Sequence, residues 1–131
     1  MKFVVVVIAC VGIGRAESVC LWLNAATAGG VLGGPVTTSV KPGVCEFVRE
    51  SNKGTLHIEV QKKPLALSAK CESAATPLMA MGNEAVACSM GDTQMVIGRV
   101  RDQRFLVWIR GNDQAKEKIR KVADQVAGSL F

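Results

Sequence analysis

The sequence predicts an α+β domain: an antiparallel sheet of about five to six strands, with a short N-terminal helix and a long C-terminal helix packed on one face. Three observations carry this reading. Short segments rich in Val, Ile and Thr are separated by turns containing Gly, Asn or Asp. Thr55 to Gln61 alternates strictly between apolar and polar side chains, and the C-terminal stretch repeats apolar residues at helical spacing.

Composition narrows the field further. The chain has 131 residues, 49% of them hydrophobic and 21% charged, which suits one domain with a modest core. No apolar run approaches the roughly 18 residues that a transmembrane helix needs. Aromatic residues make up 5% of the chain and Tyr is missing, so a base-stacking platform or an aromatic sugar cleft would have to come from two Trp and four Phe. Nucleic acid is therefore not an expected partner.

The N-terminus has the layout of a secretory signal: Met1-Lys2, the apolar run Phe3 to Ile13, and Gly14-Arg15-Ala16 with small residues where signal peptidase requires them. Residues 1–16 are read as a signal peptide, residues 17–131 as a single domain, and the destination as periplasmic or secreted. The same Val-rich run also suits a buried strand. Val7-Ile8-Ala9-Cys10 only loosely matches a lipidation site, with nine residues before the Cys. Removing Lys2 and Arg15 with the leader lowers the formal charge from +5 to +3, an ordinary value for a soluble domain.

Cys10 leaves with the leader, and Cys20, Cys45, Cys71 and Cys88 remain as an even set in an exported chain, which implies disulfides. No Cys-x-x-Cys pair exists and His57 is the single histidine, so a metal site is not expected. Of the three possible connectivities, Cys20–Cys45 and Cys71–Cys88 are favoured, because each joins a helical or pre-helical segment to the next strand carrying a Cys. Each bridge would contribute about 3 kcal/mol.

Taken in order, Asn24 caps a helix over Ala25 to Leu32 that Gly33-Gly34-Pro35 stops. Gly29-Gly30 within it reads as close packing of helix on sheet. Val36 to Val40 and Val44 to Glu50 are strands around a Pro42-Gly43 turn, and Ser51 to Gly54 closes the next hairpin. In the strand from Thr55 to Gln61, Leu56, Ile58 and Val60 face inward and His57 falls on the wet side as a surface histidine. Pro64 opens a second short helix or turn over Leu65 to Cys71, and Pro77 to Met81 is a loop. Strands follow at about Glu84 to Met90, Thr93 to Arg101 and Arg104 to Arg110, with turns at Gly91-Asp92 and Asp102-Gln103. The last strand is apolar on both faces and should be central or doubly covered. Asn112 then caps a helix from Asp113 to Leu130, whose stripe is Ala115, Ile119, Val122, Ala123, Val126 and Leu130. Lys116, Lys118, Arg120 and Lys121 lie mostly off that stripe as a solvated face. The two halves share a loose layout that hints at duplication without matching residue for residue.

The run from Cys20 through Trp22 and Leu32-Gly33-Gly34-Pro35-Val36, the Gly43-Val44-Cys45-Glu46-Phe47 segment, the Gly82-Asn83-Glu84-Ala85 turn and the closing helix resemble a known type. It is that of small exported bacterial proteins and lipoproteins of unknown function, which open with a Cys and a Leu-rich helix and place a second Cys before an aromatic strand. The resemblance spans most of residues 17–131 and implies an exported bacterial α+β domain. It brings no catalytic residues with it.

Nucleophilic catalysis needs a base beside a Ser or Cys, and one histidine with oxidised cysteines does not supply it; the acidic residues are scattered singly. The chain is expected not to be an enzyme and to need no cofactor. Its expected role is a binding or interaction module of the cell envelope, with the helix-free sheet face as the binding surface. A second candidate is a patch formed by Arg99, Arg101, Arg104 and Arg110, extended by the lysines of the last helix and suited to an envelope protein or an anionic polymer. The alternative is a small-ligand or Cu(I) carrier, the copper held by thioethers of Met79, Met81, Met90 and Met95.

Overall fold

The computed structural model describes residues 19–51, 54–62, 75–111 and 114–131. Helix α1 (Ala25–Leu32) precedes strands β1 (Val36–Lys41), β2 (Val44–Arg49) and β3 (Thr55–Gln61). Strands β4 (Thr76–Pro77), β5 (Glu84–Met90), β6 (Thr93–Val100) and β7 (Gln103–Arg110) follow, and helix α2 (Ala115–Ser129) closes the chain. The seven strands form one antiparallel sheet in the order β1-β2-β3-β7-β6-β5-β4. Two meanders thus meet where β7 pairs with β3, which makes the halves adjoining hairpin stacks.

The α+β class and the antiparallel sheet agree with the sequence, while the described residues contain seven strands rather than five to six. The extra strand is β4, which pairs Thr76 with Ala87 and Pro77 with Val86 at one edge of the sheet. Two residues cannot display a period-2 pattern, and proline is tolerated only where no inward ladder bond is asked of its nitrogen. The proposed leader over 1–16, the helix or turn over Leu65 to Cys71 and the Asn112 cap lie outside the described residues.

Helix α1 starts where Asn24 Oδ1 accepts a hydrogen bond from the Thr27 amide at 2.7 Å. It ends at Gly33, whose left-handed backbone (φ 90°) turns its amide onto the Gly29 carbonyl at 2.7 Å. A Cβ at Gly29 would lie 3.0 Å from the Gly34 carbonyl oxygen, and one at Gly30 would meet nothing within 4 Å. Gly29 therefore makes room for the helix's own closing turn rather than for the sheet, and Gly30 serves no close approach. Replacing Asn24 with Ala leaves the first-turn amide without its acceptor, with an expected loss of about 1 kcal/mol in urea denaturation. A midpoint equal to that of the parent would contradict the cap.

Helix α2 buries Ala115, Ile119, Val122, Ala123, Val126 and Ala127, the stripe read from the sequence with Ala127 added and Leu130 only half-buried. It begins at Ala115 with Gln114 in the cap position, and the Gln114 side chain makes no capping bond. Helix α1 packs on β1, β2 and β3, and α2 packs on β6 and β7. The Lys118 ammonium donates to the Val31 carbonyl at 2.9 Å and ties the two helices together. One core joins both helices to Phe47, Leu56, Ile58, Val96, Phe105, Val107 and Ile109 on a single sheet face, which we call the helix face. The Cys20–Cys45 disulfide closes the segment holding α1 onto β2, as the sequence predicts.

Candidate functional site

Strand alternation sends every second residue to the opposite face, against which neither described helix packs. The pairing register aligns one row across it: Glu46 on β2, His57 on β3, Trp108 on β7, Met95 on β6 and Cys88 on β5. A neighbouring row runs Val44, Glu59, Leu106, Ile97, Val86. Cys88, Met95, Ile97 and Leu106 form a second buried cluster, with Val86, Met90 and Trp108 packed against it. Cys88 is disulfide-bonded, and its partner lies outside the described residues, as does Cys71.

Toward β2 and β3 the face becomes polar and opens to solvent. The imidazole of His57 stacks on Trp108 with centroids 5.0 Å apart and planes 7° from parallel. Its Nδ1 lies 3.1 Å from Glu46 Oε2 and its Nε2 3.3 Å from Glu59 Oε1, so the ring is held from both sides. Gln61 donates its amide to the second oxygen of Glu59. The Arg110 guanidinium carbon sits 4.9 Å from the Trp108 centroid, adding a cation against the same ring. His57 retains 16% of its side-chain exposure, against 40% for Glu46 and 29% for Glu59, so the carboxylates form the wet rim of a half-buried aromatic pair. His57 is thus not the simple surface histidine that alternation suggests: Trp108, distant in sequence, arrives beside it through the β3–β7 pairing.

The arginine patch divides. Arg99 and Arg104 are paired across β6 and β7, on the face away from α2. Arg99 donates from Nε to Glu84 Oε2 at 3.0 Å and from Nη1 to the Arg101 carbonyl at 2.8 Å. Arg101 occupies the β6–β7 turn in a left-handed backbone (φ 57°), its amide bonded to Asn83 Oδ1. Arg110 is at the other end of β7, roughly 20 Å away at the rise of a strand, and belongs to the His57–Trp108 cluster. The cations of α2 are carried by the helix face, with the sheet between them and Arg99 or Arg104. Exposed charge is legible from sequence, but which side of a sheet each end reaches is decided by pairing.

The methionines also separate. Met79 is 88% exposed, Met81 is buried in the helix-face core, and Met95 is buried with Met90 beside it in the cluster on the opposite face. Four thioethers so distributed do not form one soft-metal site. Among the described residues, no group of three or more His, Cys, Asp or Glu side chains is placed to hold a metal ion. No described helix is long and apolar enough to cross a membrane.

No protein-family model matches the chain, and no curated protein and no solved structure matches it either.

Proposed function

We propose that the protein is a non-catalytic binding module of the bacterial cell envelope, and that it engages a protein partner through the sheet face around His57 and Trp108. The single observation that carries this is the cluster itself: a stacked His–Trp pair, rimmed by Glu46 and Glu59 and flanked by Arg110. Trp and Arg are enriched among residues that dominate interface energies, and they act most strongly inside a polar rim. The rim carries charges of both signs, which favours a folded protein surface over a uniformly anionic polymer. A periplasmic or secreted location is supported by the Cys20–Cys45 disulfide, since such bonds persist in oxidising compartments. The resemblance to small exported bacterial proteins points the same way.

Charge reversal tests the reading. Glu46→Lys and Arg110→Glu each remove one contact to the His57–Trp108 pair at its solvent-facing rim, so stability should fall by no more than about 1.5 kcal/mol. Affinity for the partner, measured by titration calorimetry, should fall by about tenfold or more for each. Unchanged affinity in both variants would remove the cluster from the interface.

A second reading, a carrier of a small apolar ligand, has one observation in its favour. An open recess of about 520 Å³ lies beside the disulfide, lined by Val19, Leu21, Trp22, Val40 and Pro42. Native mass spectrometry separates the two, because a carrier retains a bound small-molecule mass.

A further inference from the structure

We infer that the cleft between the start of α2 and strands β5 and β6 binds a small oxyanion, specifically a phosphate monoester. The site is on the helix face, apart from the His57–Trp108 cluster, and is independent of the reading given above. The cleft encloses about 260 Å³, with Lys116 and Arg120 on its helix wall, Ser89 and Gln94 on its strand wall, and Thr76 of β4 at its edge.

Three observations converge on an anion. First, Lys116 and Arg120 are four residues apart, hence on one side of the helix, and neither has an ion pair or hydrogen bond among the described residues. Two like charges at that spacing repel. Second, Lys116 stands in the first turn of α2, where the aligned peptide dipoles already present positive charge and disfavour a cation. An anion in the cleft relieves the repulsion between the two cations and the conflict at Lys116 together. Third, the other polar side chains that line the cleft among the described residues are hydroxyls and an amide, each able to donate a hydrogen bond to an anion. Ser89 donates its hydroxyl to Gln94 Oε1 at 2.8 Å, which leaves the Gln94 amide nitrogen as a donor.

The chemistry favours phosphate over a carboxylate. Guanidinium forms paired hydrogen bonds to two phosphate oxygens while the ammonium neutralises the remaining charge. The volume admits the phosphate and a few further polar atoms, for which the Thr76 and Gln94 side chains supply hydrogen bonds. Ile119 also lines the cleft and adds an apolar surface beside the bound group.

The test uses the full-length, disulfide-intact protein at constant ionic strength, with backbone amide shifts followed by NMR. Inorganic phosphate and glycerol 3-phosphate are titrated separately against chloride. Saturable shifts confined to Ser89, Gln94 and residues 115–121 are expected, with glycerol 3-phosphate binding more tightly than inorganic phosphate. The double variant Lys116→Gln, Arg120→Gln removes two exposed charges and should weaken binding by about tenfold or more. Lys121→Gln, on the same helix, should leave it within about twofold. Vesicles containing phosphatidic acid, compared with phosphatidylcholine alone, show whether a lipid carries the phosphate: shifts at the same residues assign it to a membrane, and their absence assigns it to a soluble metabolite. Non-saturating shifts, shifts reproduced by chloride, or equal binding by the double variant would each overturn the inference.

Discussion

Replacing Gly98 with Ala should destabilise the protein by about 3 kcal/mol, at the upper end of what a single added methyl costs in a packed interior. Gly98 is in the middle of β6, paired with Phe105 on β7, and the Phe105 ring is fully buried directly above it. A Cβ at Gly98 would stand 2.3 Å from Phe105 Cζ, 2.6 Å from Cε2 and 2.9 Å from the Glu84 carbonyl oxygen. Neither the ladder carbonyl nor a ring enclosed by the core can retreat without loosening contacts around Val96, Val107 and α2. Glycine in a strand interior ordinarily weakens a sheet, and here the aromatic ring fills the space the missing side chain leaves. Gly128→Ala is the matched control. Its added methyl meets nothing within 4 Å and it replaces a helical glycine, so stability should hold or rise by up to about 1 kcal/mol. Urea denaturation of both variants is the check. Gly98→Ala within about 0.5 kcal/mol of the parent would mean that Phe105 does not close over β6 as described.

Removing the Cys20–Cys45 bridge by the paired change Cys20→Ser, Cys45→Ser should cost about 3 kcal/mol or slightly more. The bridge closes a loop of sequence separation 25 that contains α1 and β1, so its loss returns considerable freedom to the unfolded chain. Both half-cystines are buried, at 7% and 1% exposure, and each serine hydroxyl then requires a hydrogen-bond partner inside the core. That is a large share of the roughly 5–15 kcal/mol that a domain of this size possesses. Helix α1 and edge strand β1 should lose hydrogen-exchange protection first, since both depend on this closure for their attachment to β2. A double variant as stable as the parent would make the bridge incidental to the fold.

The local grammar of the chain was readable because it is written in neighbouring residues. Asn24 and Gly33 bound α1 through hydrogen bonds within four residues, and the apolar stripe of α2 follows from 3.6-residue periodicity. The alternation of Leu56, Ile58 and Val60 against His57 and Glu59 separated the two faces correctly. What the alternation could not state is register. Nothing near His57 indicates that Trp108 stacks on it, nor that Arg110 follows Trp108 to the same place; both depend on β7 returning to β3 after β4, β5 and β6. One signal did exist: β7 is apolar on both faces, so Trp108 had to pack against something on the side away from Phe105 and Val107. The arginine patch divides for the same reason, since Arg110 lies at the opposite end of β7 from Arg99, Arg101 and Arg104. Strand β4 was missed because two residues carry no periodic pattern.

The central claim is that the face around His57 and Trp108 is where a protein partner docks, and in-cell photo-crosslinking tests it most directly. A photoreactive amino acid replaces Glu46 on that face in one strain and Asp124, an exposed residue of α2, in another. Both report on the intact protein in its native host. The account predicts one adduct of discrete mass from position 46, abolished by Arg110→Glu, and none from position 124. An adduct from position 124 alone, or one from position 46 that persists with Arg110→Glu, would contradict it.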